Sequence, residues 1–511
     1  METQRNRRLF FPALAMLALS ALALTLPASG QDLSQFEKRV SVHELDNGWT
    51  FLIYERPGAP VASLFTLVNA GSANEVAGIT GLAHMFEHMA FKGSTRIGTS
   101  DPEAEAEALH AVDDAYEAYD RARRRTNIDA ESVEELEQKW VEAREKAKEY
   151  VVNNEFGEVL ERGGGSQLNA FTASDFTGYV VALPTNKLEL WAYLESERFL
   201  DPVLREFYTE RDVVMEERRL RTDSQPVGRL IEQMLAAAFT AHPYGYPGIG
   251  YMSDLESFSR RDAIEFYKNH YVPSNMVTVI SGGVDKEKVL PLLDKYFGRM
   301  ETGREPPPLR TVEPPQIAER VLRIPDQSQP IYAEGYMRPA ITHPDNAVYD
   351  AIADVLSTGR TSRLYRSLVR DKKIAAQTGA FNGFPGSKYQ NLMLAFAVPT
   401  PGHSNEDVQE AIRTEIERIK TEPITDEELQ MVKTRAKAAL LRTLDSNTGM
   451  AQQLATAHAW FGDWREVFRS VDRIEAVTKE DILRVAKEVF QPTGRTVTMI
   501  VNESAENEEE S

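Results

Sequence analysis

The chain has 511 residues, a formal net charge of −20 and no cysteine. Without thiols there are no disulfides, thiolate metal sites, iron–sulfur clusters or cysteine nucleophile, so any metal must be held by His, Asp or Glu. The acidic balance argues against a nucleic-acid partner, because neutralising phosphates takes an excess of Lys and Arg. The length allows roughly two to four domains.

Residues 1–30 read as a secretory signal. Arg5, Arg7 and Arg8 precede an apolar stretch over 9–26, and Ala28, Ser29 and Gly30 supply small residues before Gln31. This predicts a periplasmic or secreted bacterial protein, with an uncleaved anchor as the alternative. No later segment approaches spanning length, so no membrane span is expected once the signal is removed.

Residues 40–54 alternate like a strand, 61–68 read as a second strand, and 78–91 as a helix. Between 101 and 152 the composition turns to Ala, Glu, Arg and Lys. Leu109, Val112, Tyr116 and Tyr119 step by three and four, as do Val133, Leu136, Trp140, Ala143, Ala147 and Tyr150. These seams predict a helical hairpin inserted over 101–162, with its turn at 126–129. It is either a solvated insert, a docking arm for a partner or a gate over the active site. Residues 168–183 read as a strand pair, 188–198 and 207–221 as helices, 261–270 as a helix and 276–280 as a strand. The proline-rich stretch 301–318 reads as a linker between an N-terminal domain (31–300) and a C-terminal domain (319–502). Beyond it the strand-then-helix order repeats, with strands at 331–337 and 392–398 and helices at 346–356 and 406–420. An acidic tail closes the chain at 503–511.

The sharpest local signal is His84-Met85-Phe86-Glu87-His88. On a helix, at about 100° per residue, His88 falls about 40° from His84, and Glu87 lies about 60° to the other side. Leu82, Met85, Phe86 and Met89 occupy the opposite face. One face thus packs, while the other offers two imidazoles one turn apart and a carboxylate. That set suits a catalytic zinc, with an unligated Glu acting on water. A third protein ligand is needed. Glu210 and Glu217 lie seven apart and share a helix face within about 20°, but composition alone does not separate them from solvated surface residues.

Residues 81–93, Gly-Leu-Ala-His-Met-Phe-Glu-His-Met-Ala-Phe-Lys-Gly, resemble the active-site helix of the M16 metallopeptidases. These are the inverzincins of the pitrilysin, insulinase and mitochondrial processing peptidase group, with H-x-x-E-H in place of the usual zincin order. Residues 164–172 resemble the family's G-G-x-x-N-A-x-T edge strand, 210–217 its E-R-x-V-x-x-E stretch, and 242–245 its H-P-Y-G loop. The resemblance implies an α+β fold of two tandem, homologous-type domains, each a mainly antiparallel sheet packed with helices. It implies His84, His88 and Glu217 as ligands of one Zn2+ per chain, Glu87 as general base and Glu210 as a supporting carboxylate. Glu216 is the near competitor of Glu217. Asn169 and Ala170 would lie on the strand that pairs with an extended peptide substrate.

Two departures stand out. The step from His88 to Glu217 is longer than the family's, and the insert accounts for the excess. The family also takes an Arg and, seven residues on, a Tyr from a partner domain. Here Arg370 matches the Arg, but Gln377 stands at the Tyr position. The expected protein is therefore an exported zinc endopeptidase acting on peptides or unfolded segments in a dimeric chamber. A second, related subunit supplying the Arg/Tyr pair would make it a heterodimer. The rivals are a non-catalytic M16-like scaffold subunit and a peptide-binding module docking a partner through its hairpin.

Overall fold

Alternating and fully apolar runs of β-branched residues pair into two sheets, described by a computed structural model for residues 34–127 and 129–502. The signal-like stretch 1–30, the tail 503–511 and Ile128 of the hairpin turn lie outside the described residues. The first sheet comprises β1 (Val40–Glu44), β2 (Thr50–Glu55), β3 (Val61–Val68), β4 (Ser166–Thr172), β5 (Thr177–Pro184) and β6 (Met276–Gly282), in the order β1-β2-β6-β3-β5-β4. The second comprises β7 (Arg320–Asp326), β8 (Ile331–Arg338), β9 (Ala375–Phe384), β10 (Asn391–Pro399) and β11 (Arg495–Asn502), in the order β7-β11-β8-β10-β9. Each sheet is antiparallel except for one parallel pair, β2 with β6 and β7 with β11. The α+β, mainly antiparallel expectation holds. Residues 40–54 form two strands, not one, because Gly48 turns the chain at φ 92°, a left-handed value that favours glycine.

The sheets correspond strand for strand from the parallel pair outward: β2, β6, β3, β5 and β4 match β7, β11, β8, β10 and β9. The helices between them correspond as well. Leu82–Met89 follows β3 as Asn346–Ser357 follows β8, and Phe207–Arg218 takes the place that Asp426–Asp445 takes later. The next helix of each half then crosses over. Pro226–Ala238 packs on β7 and β11, burying Leu230, Met234 and Leu235 with Leu392, Leu394 and Ile500. Asn447–Phe461 packs on β3 and β6 of the first sheet. That exchange explains why β3 and β6 are buried along almost their whole length. The described residues from 39 to 502 belong to one compact unit.

Residues 301–318 contain no helix or strand, yet they are pinned. The buried Glu313 carboxylate accepts hydrogen bonds from the backbone N–H groups of Thr240, Ala241 and His242 at 2.8, 2.9 and 2.9 Å. The insert forms helices Pro102–Arg123 and Ala130–Lys148, followed by a short helix, Glu155–Arg162. Asp101 and Asp129 cap the two arms by accepting from Ala104 and Ser132. At 22 and 19 residues they span about 33 and 28 Å. Among the described residues no helix is long and apolar enough to cross a membrane.

Candidate metal centre

The motif helix is Leu82–Met89, shorter at both ends than the spacing alone suggests. Gly78 and Gly81 sit at φ 99° and 97°, which keeps the turn before Leu82 out of the helix. Gly81 is the N-cap and has no side chain with which to cap. Glu75 does this from outside, accepting the N–H of Gly81 at 2.8 Å and of Ala83 at 2.7 Å. Burial pushes its carboxyl up to about 8, against the pull of those two N–H groups. Leu82, Met85, Phe86 and Met89 are buried in the first-sheet core, and Phe86 stacks on Phe266. His84, Glu87 and His88 are left on the other face, only partly exposed.

Helix Phe207–Arg218 brings the third group. Glu217 Oε1 lies 3.8 Å from His84 Nε2, and its Oε2 lies 3.3 Å from His88 Nε2. Donors about 2.0–2.1 Å from a tetrahedral zinc stand about 3.3 Å apart, so the His88–Glu217 spacing matches that ion and the His84–Glu217 spacing is somewhat wider. Among the described residues, His84, His88 and Glu217 form the one group of three possible ligands, with donor atoms all within 4.8 Å of one another. Glu216 points away, 59% exposed and 3.0 Å from Arg219. Burial lowers His84 to about 4, which keeps its imidazole neutral and its lone pair available. His88 is raised, first by its hydrogen bond with Glu210. Glu210 lies 3.5 Å from His88 Nδ1, so Nε2 is the nitrogen turned toward Glu217. Glu210 is itself held below the usual carboxylate range by His88, and Lys92 approaches it at 2.6 Å. Lys92 also meets Glu206 at 2.8 Å. Arg221, on the π-helical turn Arg219–Asp223, reaches Glu217 at 2.5 Å.

Glu87 stays outside the three-ligand set, 4.0 Å from His84 Nε2. Burial raises its carboxyl pKa, opposed by hydrogen bonds from Thr172. His84, Glu87 and Glu217 line an open cleft of about 470 Å³ with Phe171, Thr172 and Pro385. One wall is thus β4, the free outer strand of the first sheet. Asn169 is exposed on it opposite Val180, and Ala170 is buried opposite Tyr179. Pro385 comes from the β9–β10 turn of the second sheet, where Ser174 Oγ donates to its carbonyl at 3.1 Å.

Two residues singled out in the second half lie elsewhere. Arg370 is 52% exposed, paired with its neighbour Asp371 at 2.6 Å, and Gln377 sits on β9. Neither lines the cleft. Sequence reasoning gave no role to Glu75, Thr172, Lys92 or Arg221. Lys92 and Arg221 had a signal, since each stands four residues, about one turn, beyond a proposed ligand. Glu75 had none, because its role depends on a loop folding back.

Two family models match the chain. The model for insulinase, peptidase family M16, covers residues 50–139 and 143–250, and the model for the peptidase M16 inactive domain covers 257–436. The chain is 28% identical over 501 residues to the zinc protease PqqE of Helicobacter pylori, covering 96% of this chain and 99% of that protein. It is 24% identical over 484 residues to the mitochondrial-processing peptidase subunit beta of Saccharomyces cerevisiae, covering 89% of each. A crystal structure of a protease from H. pylori superposes with a TM-score of 0.75 at 26% identity, over 90% of this chain and 99% of that one.

Proposed function

Since the chain belongs to the M16 peptidase family, we propose that it is a zinc-dependent endopeptidase whose His84, His88 and Glu217 hold one Zn2+. The observation that carries this reading is the meeting of those three donor sets beside an unligated Glu87. Zinc, when bound, supplies the Lewis-acid charge that polarises a scissile carbonyl and acidifies water. The rest falls to the chain's own groups. Glu87 takes the proton of the attacking water and hands it to the departing amine, and its raised pKa suits both transfers. Glu210 orients His88 through Nδ1, and Lys92 neutralises Glu210. The free edge of β4, with Asn169 and Ala170, binds an extended peptide through main-chain hydrogen bonds.

We also propose export, which the signal-like residues 1–30 support, and a dimeric chamber that admits peptides or unfolded segments. Arg370 and Gln377, away from the cleft, favour a second, related subunit that brings the Arg/Tyr pair. In the extreme this chain would be a scaffold whose partner does the cutting. Metal analysis with a peptidase assay on Glu87→Gln decides the matter. The enzyme reading expects full zinc content and a loss of about 10²–10⁴-fold in kcat. Unchanged cleavage would transfer the activity to another chain.

A further inference from the structure

The helical hairpin has no part in the chemistry above, yet it grips the back of the helix that carries Glu210 and Glu217. On Phe207–Arg218 those two carboxylates share one face. Tyr208, Arg211 and Asp212 stand roughly 100–200° around from Glu210, and each of them meets the insert. Arg211 donates to the Tyr116 hydroxyl at 2.8 Å and to the Phe258 carbonyl at 3.0 Å. Its guanidinium lies 4.9, 5.1 and 5.8 Å from the ring centres of Tyr208, Tyr116 and Trp140. Trp140, from the second arm, meets Tyr208 edge-on at 5.2 Å. Arg144 covers Trp140 and reaches Asp212 at 3.2 Å.

Two buried ion pairs flank this cage. Arg205, just ahead of the helix, holds Glu105 of the first arm through two hydrogen bonds of 2.8 and 3.0 Å, with side chains 1% and 2% exposed. Arg260 holds Asp113 through bonds of 3.0 and 2.6 Å. Carboxylates go into a protein interior only when paired or hydrogen-bonded, because desolvation is costly. A merely solvated insert would have no use for either. A docking arm would turn its aromatic residues outward, whereas Tyr116 and Trp140 are buried here. The helix they hold is short of support at its far end. Glu217 is in its last turn, the next turn is π-helical, and Val213 and Leu220 are exposed. Arg218 anchors that end to Glu232 and to the Gly250 carbonyl, and along the rest the hairpin shares the helix with the core, where Phe207 and Val214 are buried.

We infer that the hairpin is a positioning element for the metal centre: Glu105, Asp113, Tyr116 and Trp140 fix the third-ligand helix from behind and so set where Glu217 stands relative to His84 and His88. The inference rests on reading Glu217 as a ligand. It places the insert's effect on zinc affinity, ahead of substrate binding.

The test measures zinc affinity of the full chain by competition with a fluorescent chelator. Trp140→Ala and the milder Tyr116→Phe are each made alone and in a Glu217→Gln background. The expected result is a loss of about tenfold or more for Trp140→Ala, the size typical of groups that orient metal ligands, and a smaller loss for Tyr116→Phe. Neither should weaken zinc further once Glu217 is gone. Losses of equal size in both backgrounds would mean general destabilisation and overturn the inference. So would unchanged affinity in a folded Trp140→Ala protein. If Trp140→Ala does not fold, Tyr116→Phe carries the same comparison. If Glu217→Gln alone leaves zinc binding unaltered, the ligand reading falls and the inference falls with it. If Glu217→Gln weakens binding and the hairpin variants do not, only the inference falls.

Discussion

The same junction occurs twice in this molecule and is closed by different chemistry. In the second half, helix Asn346–Ser357 meets helix Asp426–Asp445 through one ion pair, Asp354 with Arg435 at 2.9 Å. The core-facing side of the first helix is apolar, with Ala347, Val348, Ala351, Ile352 and Val355 buried. In the first half the matching helices bring together two imidazoles and the carboxylates of Glu87, Glu210 and Glu217. A junction with its own cation is complete. In the other, Lys92 meets Glu210 and Arg221 meets Glu217, and the proposed zinc would join His84, His88 and Glu217. The topology is common to both, so the chemistry resides in a handful of side chains grafted on it. The hairpin follows the same pattern: it stands after the motif helix of the first half, while only residues 358–364 separate the matching helix from Tyr365–Asp371 in the second.

The largest expected break in this comparison comes from chelation. Zinc at a thousandfold excess over its Kd stabilises by about 4 kcal/mol. Stripping it should therefore lower Tm and accelerate amide exchange in 82–89 and 207–218, leaving 346–357 and 426–445 protected. Equal exchange in both halves would contradict a metal-closed junction. Removing the second junction's carboxylate should do the converse. Asp354→Asn leaves a partly buried Arg435 with weaker compensation and should cost about 1–3 kcal/mol by denaturant unfolding, with zinc content unchanged.

Glu75→Ala leaves the N–H groups of Gly81 and Ala83 buried without an acceptor. It should cost about 1–3 kcal/mol and reduce zinc retention, since the capped helix carries His84. The pH dependence of the Glu75 side chain has a defined sign. Its folded pKa is raised from 4.5 to about 8. Its stabilisation is therefore full below about pH 4.5 and fades as pH rises through 8. Glu75→Gln should flatten that part of the Tm profile.

The smallest effect concerns the carboxylate behind His88. Glu210 lies 3.5 Å from His88 Nδ1, so Glu210→Gln should weaken zinc affinity at neutral pH by about tenfold, read by chelator competition. Unaltered affinity would contradict an orienting role for that contact.

The parts of this site read most directly from the chain are those whose geometry is local. The His84–Glu87–His88 face follows from helical spacing, whereas Glu217 as third ligand is what the family resemblance implies, and its near competitor Glu216 is exposed beside Arg219. What could not be read depends on distant segments meeting. Glu75 caps a helix it does not belong to. Pro385 enters the cleft from a turn of the other sheet. The periodicity of 109–119 and 133–150 yields two packed arms, but not the helix they grip. Nor could the crossing of Pro226–Ala238 and Asn447–Phe461 be inferred, because an amphipathic helix does not declare which sheet it covers.

That crossing has a consequence for how the protein comes apart. Each sheet is roofed by a helix belonging to the other half, and the connecting segment at 301–318 is itself fastened by Glu313. A protease nick in that stretch therefore yields no pair of free-standing fragments. The two pieces should remain interlocked, each holding a section of the other's core, and co-elute by size exclusion after the nick.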